Sequence, residues 1–164
     1  MRATDEKQRR RLRNWALVCV ANFAGAVGLA LLVWLSGHAS MNDGAVARTA
    51  IHIATAKAEL PWQVAFFRGV LCNLLVCMAV WMAMAGRSVT DKVLAIVFPI
   101  TAFVAAGFEH SIANMYFFPL AMLLGAPLSA ADVVRNLLPV IAGNIVGGSV
   151  LVALVYWVIY LRAP

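Results

Sequence analysis

Long apolar stretches separated by short polar turns are the feature that most constrains the fold of this chain. Hydrophobic residues make up 63% of its 164 residues and charged residues only 12%, against roughly 25% charged in an average soluble protein. A water-soluble domain could not cover its surface with so few polar groups. The sequence therefore predicts an integral membrane protein whose four apolar segments cross the bilayer as helices. These spans cover about residues 15–37, 62–85, 93–125 and 138–160.

The basic residues are distributed unevenly along the chain. Six of the thirteen lie within the basic arm, residues 1–14, directly before the first apolar segment. With four crossings, this arm, the polar turn 86–92 and the C-terminus share one side and hold nine basic residues, against three in the opposite loops. Positive charge marks the cytoplasmic side of a membrane protein, so both termini are predicted to face the cytoplasm. The net charge of +6 is therefore a membrane signal and does not indicate nucleic-acid binding.

The third apolar segment contains a polar cluster and is too long for one straight helix. Residues 93–125 would extend about 50 Å as a helix, whereas the hydrocarbon core is about 30 Å thick. Glu109, His110 and Asn114 lie near its middle, and ionisable groups at membrane depth are expensive and mark functional sites. We expect the helix to be interrupted over 107–114, with irregular backbone that packs in protein or lines a watery cavity.

The first and last apolar segments share a pattern. Asn-Phe-Ala-Gly-Ala begins at Asn22, and Asn-Ile-Val-Gly-Gly begins at Asn144. Small residues permit close helix packing, and an intramembrane asparagine needs a partner. Because these two spans run in opposite directions, the match indicates an inverted repeat; the alternative is chance, since small residues are common in membrane helices. The repeat makes the last three spans one complete unit and the first span the final helix of a preceding unit.

No motif in the sequence predicts an enzyme. The three cysteines, Cys19, Cys72 and Cys77, lie inside apolar runs without the spacing of a metal site or a disulfide framework. They are interpreted as small buried hydrophobic residues. Ser111 is adjacent to His110, but neighbouring helical positions do not provide catalytic-triad geometry. The sequence therefore assigns no catalytic residue, no metal ligand and no cofactor.

Several motifs give the chain a resemblance to the formate/nitrite transporter family over nearly its whole length. The most specific are Gly-Phe-Glu-His-Ser-Ile-Ala-Asn from Gly107 and Gly-Asn-Ile-Val-Gly-Gly from Gly143. Arg-Asn-Trp-Ala-Leu-Val from Arg13, Phe-Arg-Gly-Val-Leu-Cys-Asn from Phe67 and Asn-Leu-Leu-Pro from Asn136 add to them. The resemblance implies an aquaporin-like bundle that assembles as a homo-pentamer with one pore in each protomer. It also implies transport of small monovalent anions of weak acids, such as formate, nitrite or hydrosulfide, across the lipid bilayer.

The resemblance begins just before the third helix of the family, so the family's first two helices have no counterpart in this chain. The expected fold is all-α: an aquaporin-like polytopic bundle of one complete three-helix repeat and the last helix of the other, with one broken helix. The expected function is passage of a formate-class anion coupled to proton transfer. The alternative is a truncated, non-conducting fragment that acts only as a membrane interaction or assembly element.

His110 is the residue that the resemblance aligns with the pore histidine of the family. An imidazole exchanges protons close to physiological pH, so His110 is expected to attract the anion and protonate it; a structural hydrogen-bond donor is the alternative. The neutral acid would then cross an apolar constriction without the cost of a buried charge. The neighbouring Glu109 would repel an anion, so we expect it to point away from the pore as a hydrogen-bonded structural anchor.

Five further residues complete the expected site. By the resemblance, Asn144 and Lys57 belong with His110 to the substrate pore and proton relay: Asn144 bonds the loop that contains the histidine and holds its imidazole, and Lys57 draws anions toward a vestibule. The alternatives are a simple helix–helix contact for Asn144 and an exposed interfacial position for Lys57. Phe103 lies one to two helical turns before the histidine and is expected to narrow the pore, although most membrane phenylalanines only pack. Asn73 and Asn114 are expected to be structural anchors.

Overall fold

The computed structural model of the protein describes the backbone of residues 2–161 and the side chains of that range other than 2–5 and 151. Within this range the chain is almost entirely helical and contains no strand, which confirms the expected all-α fold. A 3₁₀ turn (His38–Ser40) precedes α2, and π-helical turns (Val146–Leu151 and Trp157–Leu161) precede and follow α7. The helices are α1 (Arg2–Leu35), α2 (Met41–Ala58), α3 (Trp62–Ala85), α4 (Val89–Ala105), α5 (Ser111–Leu123), α6 (Ala130–Ile145) and α7 (Val152–Tyr156).

Among the described residues, three helical stretches are long and apolar enough to cross a membrane: Glu6–Leu35, Trp62–Ala85 and Ala130–Leu161. α1 runs without a break through the basic residues that precede Trp15, so the predicted arm is helical where it is described. The last stretch begins well before the predicted start of the fourth span at residue 138. The reason is a capping box, in which the Ser129 side chain accepts from the Asp132 N–H and the Asp132 carboxylate accepts from the Ser129 N–H.

The third predicted span is divided into two half-helices, which confirms the expected broken helix. α4 ends at Ala105 and α5 begins at Ser111, so the non-helical backbone covers residues 106–110. Gly107 has a φ of +66°, in the left-handed region that glycine adopts without steric cost. The interruption is shorter than the predicted 107–114 because His110 caps a new helix, and residues 111–114 form the first turn of α5.

α3 and α6 pack with their backbones in direct contact at glycines. A Cβ added at Gly143 would meet the carbonyl oxygen of Phe66, and one added at Gly147, just beyond α6, would meet the carbonyl oxygen of Val70. A larger residue therefore fits at neither position without a backbone shift. A hydrophobic core around the fully buried Phe118 joins α5 to α1, α2 and α6. These two sets of contacts hold the interruption between the helices that surround it.

Candidate functional site

His110 lies at the junction between the interruption and α5. It is the N-cap residue of α5, and its Nδ1 accepts a hydrogen bond of 3.4 Å from the backbone N–H of Ala113. The cap satisfies one of the amides that the start of a helix leaves without an intrahelical partner. Because Nδ1 is the acceptor in this arrangement, the neutral ring carries its hydrogen on Nε2, which can donate a hydrogen bond to a ligand.

The ring of His110 stacks on the ring of Phe103. The two ring centroids lie 5.9 Å apart and the ring planes meet at 24°. Phe103 belongs to the last turns of α4 and His110 to the start of α5, so the interruption is what brings the two rings together. Both residues belong to the predicted pore, and the structure places them side by side.

His110 also borders an open cleft between α1 and α5. The cleft has a volume of about 670 Å³ and its walls are mainly apolar, with Val18, Gly25 and Leu29 on the α1 side. Asn22 adds an amide to the same wall. A mainly apolar cleft with a few polar groups is the usual form of a small-molecule site. The part of the interruption that faces this cleft is therefore the strongest candidate site in the described residues.

Asn144 of α6 fixes the main chain of the interruption. Its Oδ1 accepts a hydrogen bond of 2.9 Å from the Ser111 N–H, and its Nδ2 donates to the carbonyl oxygens of Gly69 (2.9 Å) and Glu109 (3.0 Å). These bonds use the acceptor and both hydrogens of the amide. Asn144 thus links α3, α6 and the interruption, and its amide contacts the main chain on either side of His110 without touching the imidazole.

Asn73 provides a second bond between α3 and α6. Its Nδ2 donates to the carbonyl oxygen of Asn144 at 2.6 Å. A Cβ added at Gly148 would meet the Asn73 amide, so this glycine leaves the space that the side chain occupies. Asn73 therefore contacts the backbone of the residue whose side chain holds the interruption, and it is not among the residues that line the His110 cleft.

Glu109 forms a buried ion pair with Lys57. The Lys57 ammonium lies 2.7 Å from Glu109 Oε1, and the two side chains are 16% and 2% exposed. An exposed interfacial position for Lys57, one of its two sequence interpretations, is therefore wrong: α2 packs against α5 and α6 and turns this lysine inward. The pair compensates both charges, which explains how a carboxylate is accommodated beside an intramembrane histidine.

Two asparagines extend this ion pair into a chain of hydrogen bonds. Asn114 Nδ2 donates to Glu109 Oε2 (2.6 Å) and to Asn136 Oδ1 (2.8 Å), and Asn136 Nδ2 donates to the carbonyl oxygen of Lys57 (2.7 Å). Asn136 begins the Asn-Leu-Leu-Pro motif, but no role for this residue was predicted from the sequence. Its signal was an amide in an apolar stretch, which requires a partner. That partner could not be named because it lies 79 residues away in the chain.

The described residues offer no group of three or more His, Cys, Asp or Glu side chains that could hold a metal ion. The three cysteines are free thiols: Cys72 is fully buried in α3, Cys77 is partly buried, and Cys19 of α1 is exposed, so the interpretation as a buried residue is wrong for Cys19. The chemistry of the candidate site therefore lies with the imidazole of His110, the apolar ring beside it and the hydrogen bonds that fix the backbone around them.

A broken helix among apolar spans, with a histidine that caps one half-helix beside a cleft, defines an integral membrane protein with an intramembrane polar site. Discontinuous helices of this kind form the binding sites of membrane transporters. The chain belongs to the formate/nitrite transporter family, because the sequence model described as "Formate/nitrite transporter" matches residues 3–158.

Individual relatives agree with this assignment. The formate channel FocA of Escherichia coli (strain K12) is 40% identical over 169 residues, which cover 92% of this chain and 59% of that protein. The formate channel FocA of Haemophilus influenzae is 39% identical over 158 residues, which cover 85% of this chain and 56% of that protein. A solved structure described as a pentameric formate channel with formate bound superposes with a TM-score of 0.84 at 37% identity, covering 92% of this chain and 67% of the other.

This chain spans less than two thirds of the length of the two FocA proteins. Both are named as channels and not as enzymes, in agreement with the sequence prediction. The match to the solved channel covers almost the whole chain, so the broken helix and the helices that surround it belong to the fold shared with that channel.

Proposed function

We propose that this chain forms a path for small monovalent anions of weak acids, with formate as the first candidate, and that His110 couples their passage to proton transfer. The observation that supports this most directly is the position of His110, which caps α5, stacks on Phe103 and borders the cleft between α1 and α5. The formate channels among its relatives indicate the class of substrate.

The proposed mechanism is a proton transfer followed by passage of a neutral molecule. The imidazolium form of His110 attracts the anion and gives it one proton, which leaves a neutral imidazole and a neutral acid. The acid then passes the Phe103 ring without the desolvation cost of a buried charge. The cap bond from Ala113 to Nδ1 is long at 3.4 Å, so it is weak and is readily given up when Nδ1 takes a proton.

The ion pair of Lys57 and Glu109 supports this mechanism indirectly. Glu109 precedes His110 directly, and its negative charge would oppose an approaching anion if it were not compensated. The Lys57 ammonium at 2.7 Å compensates it, and the burial of both side chains keeps the carboxylate away from the cleft. We therefore propose that Lys57 favours anion entry chiefly by neutralising Glu109, and that Glu109, Asn73, Asn114 and Asn144 fix the backbone around the histidine.

We further propose that the protein assembles as a homo-pentamer in a bacterial-type cell membrane with both termini in the cytoplasm. The pentameric formate channel that it resembles supports the assembly. The excess of basic residues on the side of the N-terminal arm supports the orientation.

The test is uptake of labelled formate by liposomes that contain the purified chain. We expect uptake above protein-free liposomes, competition by nitrite and hydrosulfide, and little competition by chloride, because chloride is the conjugate base of a strong acid and takes no proton from an imidazolium. Uptake equal to that of empty liposomes would contradict the proposal and leave a membrane assembly element as the function. Native mass spectrometry of the same sample gives the oligomeric state, and a monomer would contradict the pentamer.

A further inference from the structure

The basic segment that precedes Trp15 is a rigid part of α1. α1 runs from Arg2 to Leu35 as one helix, and its apolar part from Trp15 onward is about 32 Å long, enough to cross the hydrocarbon core. The turns before Trp15 therefore continue straight into the layer of lipid headgroups. At about 1.5 Å per residue, Arg13 lies about 3 Å beyond the apolar part and Arg9 about 9 Å beyond it.

The described residues leave most of these charges without a protein partner. Arg10 forms an ion pair with Glu6 at 2.7 Å. Within the described side chains no carboxylate contacts Lys7, Arg9, Arg11 or Arg13, and all four are exposed. These cations also lie near the N-terminal end of a helix, where the helix dipole disfavours positive charge. A negatively charged partner from outside the described chain would relieve both effects.

Arg9 and Arg13 form one face of the helix together with Leu17. Residues four apart lie above one another on a helix, with Cβ atoms about 5–6 Å apart, and a like-charged pair at this spacing is destabilising. The same shallow face includes the Glu6–Arg10 ion pair, Asn14, which offers an amide beside the guanidiniums, and Leu17, which is apolar and lies toward the membrane. Because Glu6 and Arg10 compensate each other, the face presents the two cations of Arg9 and Arg13 and a hydrogen-bonding group above an apolar surface.

We infer that the Arg9–Arg13 face of α1 binds the phosphate headgroup of an anionic phospholipid. A phosphate between the two guanidiniums would cancel their repulsion through charge-assisted hydrogen bonds, and the lipid's acyl chain would lie along Leu17. Basic clusters directly beside a membrane helix recognise anionic lipids in this way. The continuous helix strengthens the site, because it fixes both arginines at the depth of the phosphates.

The test is native mass spectrometry of the full chain released from neutral detergent containing dioleoyl phosphatidylglycerol or dioleoyl phosphatidylcholine. We expect more phosphatidylglycerol than phosphatidylcholine bound to the parent protein. The double variant Arg9→Gln/Arg13→Gln should bind phosphatidylglycerol roughly 10- to 30-fold more weakly, with phosphatidylcholine binding unchanged. Arg9→Lys/Arg13→Lys keeps the charge and should retain most of the binding.

A control removes the same number of charges elsewhere. Arg87→Gln/Lys92→Gln changes two exposed cations, one in the turn between α3 and α4 and one in the first turn of α4, and we expect it to keep at least half of the phosphatidylglycerol binding. Equal losses in both glutamine variants would show a net-charge effect and overturn the inference, as would a parent protein with no preference for the anionic lipid.

Two competition experiments distinguish other anions from the lipid. Displacement of the lipid by inorganic phosphate at the same concentration would assign the site to free phosphate and overturn the inference. Competition by a single-stranded oligonucleotide at similar concentration would assign it to nucleic acid and also overturn it. All variants change exposed side chains only, so their size-exclusion profiles should match that of the parent.

Discussion

The Lys57 ammonium lies 2.7 Å from the Glu109 carboxylate, and this ion pair joins the C-terminal turn of α2 to the interruption between α4 and α5. The two residues are 52 positions apart in sequence. The pair lets a carboxylate stand directly before His110 while the local charge stays balanced. Asn136 of α6 adds a link between α2 and α5, because its amide donates to the Lys57 carbonyl oxygen while its Oδ1 accepts from Asn114.

Removal of one partner should therefore destabilise the protein strongly. Lys57→Met leaves the Glu109 carboxylate, 2% exposed, without its counter-charge, and we expect the free energy of unfolding to fall by about 3–5 kcal/mol. Lys57→Met/Glu109→Gln should recover a large part of that loss because no charge is then buried alone. Thermal unfolding in detergent measures both, with Lys92→Met as an exposed control. If Lys57→Met alone were as stable as the parent protein, the energetic role of the ion pair would be contradicted.

A second prediction concerns the proton-transfer role of His110. Asparagine is a favoured N-cap residue, so His110→Asn retains an acceptor for the Ala113 N–H while it removes the ring that can exchange protons. We expect much slower uptake of formate at mildly acidic pH and a flat pH profile between pH 5 and 8, with normal assembly. The matched control is His52→Asn, which removes an exposed histidine of α2 and should keep the parent profile.

Liposome uptake across this pH range, together with size-exclusion chromatography, separates the interpretations of His110. An unchanged pH profile with normal assembly would reject proton transfer at this residue and leave the cap as its role. Loss of assembly would instead show that the ring is needed for packing against Phe103.

The close contact of α3 and α6 gives a third prediction. Gly143→Ala places a methyl group against the carbonyl oxygen of Phe66, and because main-chain atoms cannot rotate away, we expect a loss of about 2 kcal/mol or more. Gly28→Ala is the control: a Cβ at Gly28 of α1 meets nothing within 4 Å, so alanine should be neutral or stabilising by up to about 1 kcal/mol. Chemical unfolding of both variants in the same detergent compares them. Equal changes in the free energy of unfolding for Gly143→Ala and Gly28→Ala would show that the contact between Gly143 and Phe66 is not tight.

The fourth prediction is a pH dependence at the start of α4. Asp91 lies in the polar turn before the apolar part of the helix, and hydrogen bonds from the backbone N–H of Ser88, the Ser88 side chain and the backbone N–H of Arg87 lower the pKa of its carboxyl. A carboxyl with a lower pKa in the folded state contributes stability above its unfolded pKa of about 3.9. The contribution disappears as the pH falls through the folded pKa.

Asp91→Asn should therefore lower the unfolding temperature at pH 7, and the two proteins should converge as the pH falls through the lowered pKa of the parent carboxyl, because that carboxyl then becomes uncharged. Thermal unfolding at a series of pH values in detergent measures the difference. A difference that persists undiminished at low pH would mean that the asparagine disturbs the turn through its shape and not through its charge.

The apolar segments and their interruption could be predicted from the sequence because they depend on local patterns. A carboxylate, an imidazole and an amide within one apolar run cannot lie in an uninterrupted lipid-facing helix, and this is enough to predict a break near His110. The early start of α6 also has a local signal in the sequence, because Ser129 and Asp132 have the spacing of a capping box. The extent of the interruption was predicted less well because the N-cap role of His110 depends on a three-dimensional backbone geometry.

The buried network could not be predicted in the same way. Glu109 was expected to have hydrogen-bond partners, but a single sequence does not show that Lys57 and Asn136 approach it from other helices. The same limit applies to Asn144, whose three main-chain partners belong to α3, α5 and the interruption. Such contacts depend on how the helices pack, and packing is set by many residues together.

The glycine contacts between α3 and α6 also determine which parts of the protein can move. Where main chain touches main chain, no rotatable side chain lies between the two helices to absorb a displacement, so they move as one rigid body. The Asn144 bonds attach the backbone of the interruption to the same body. For the proposed anion path, we therefore expect opening and closing to depend on rotations of the Phe103 and His110 rings, two side chains held in a fixed frame.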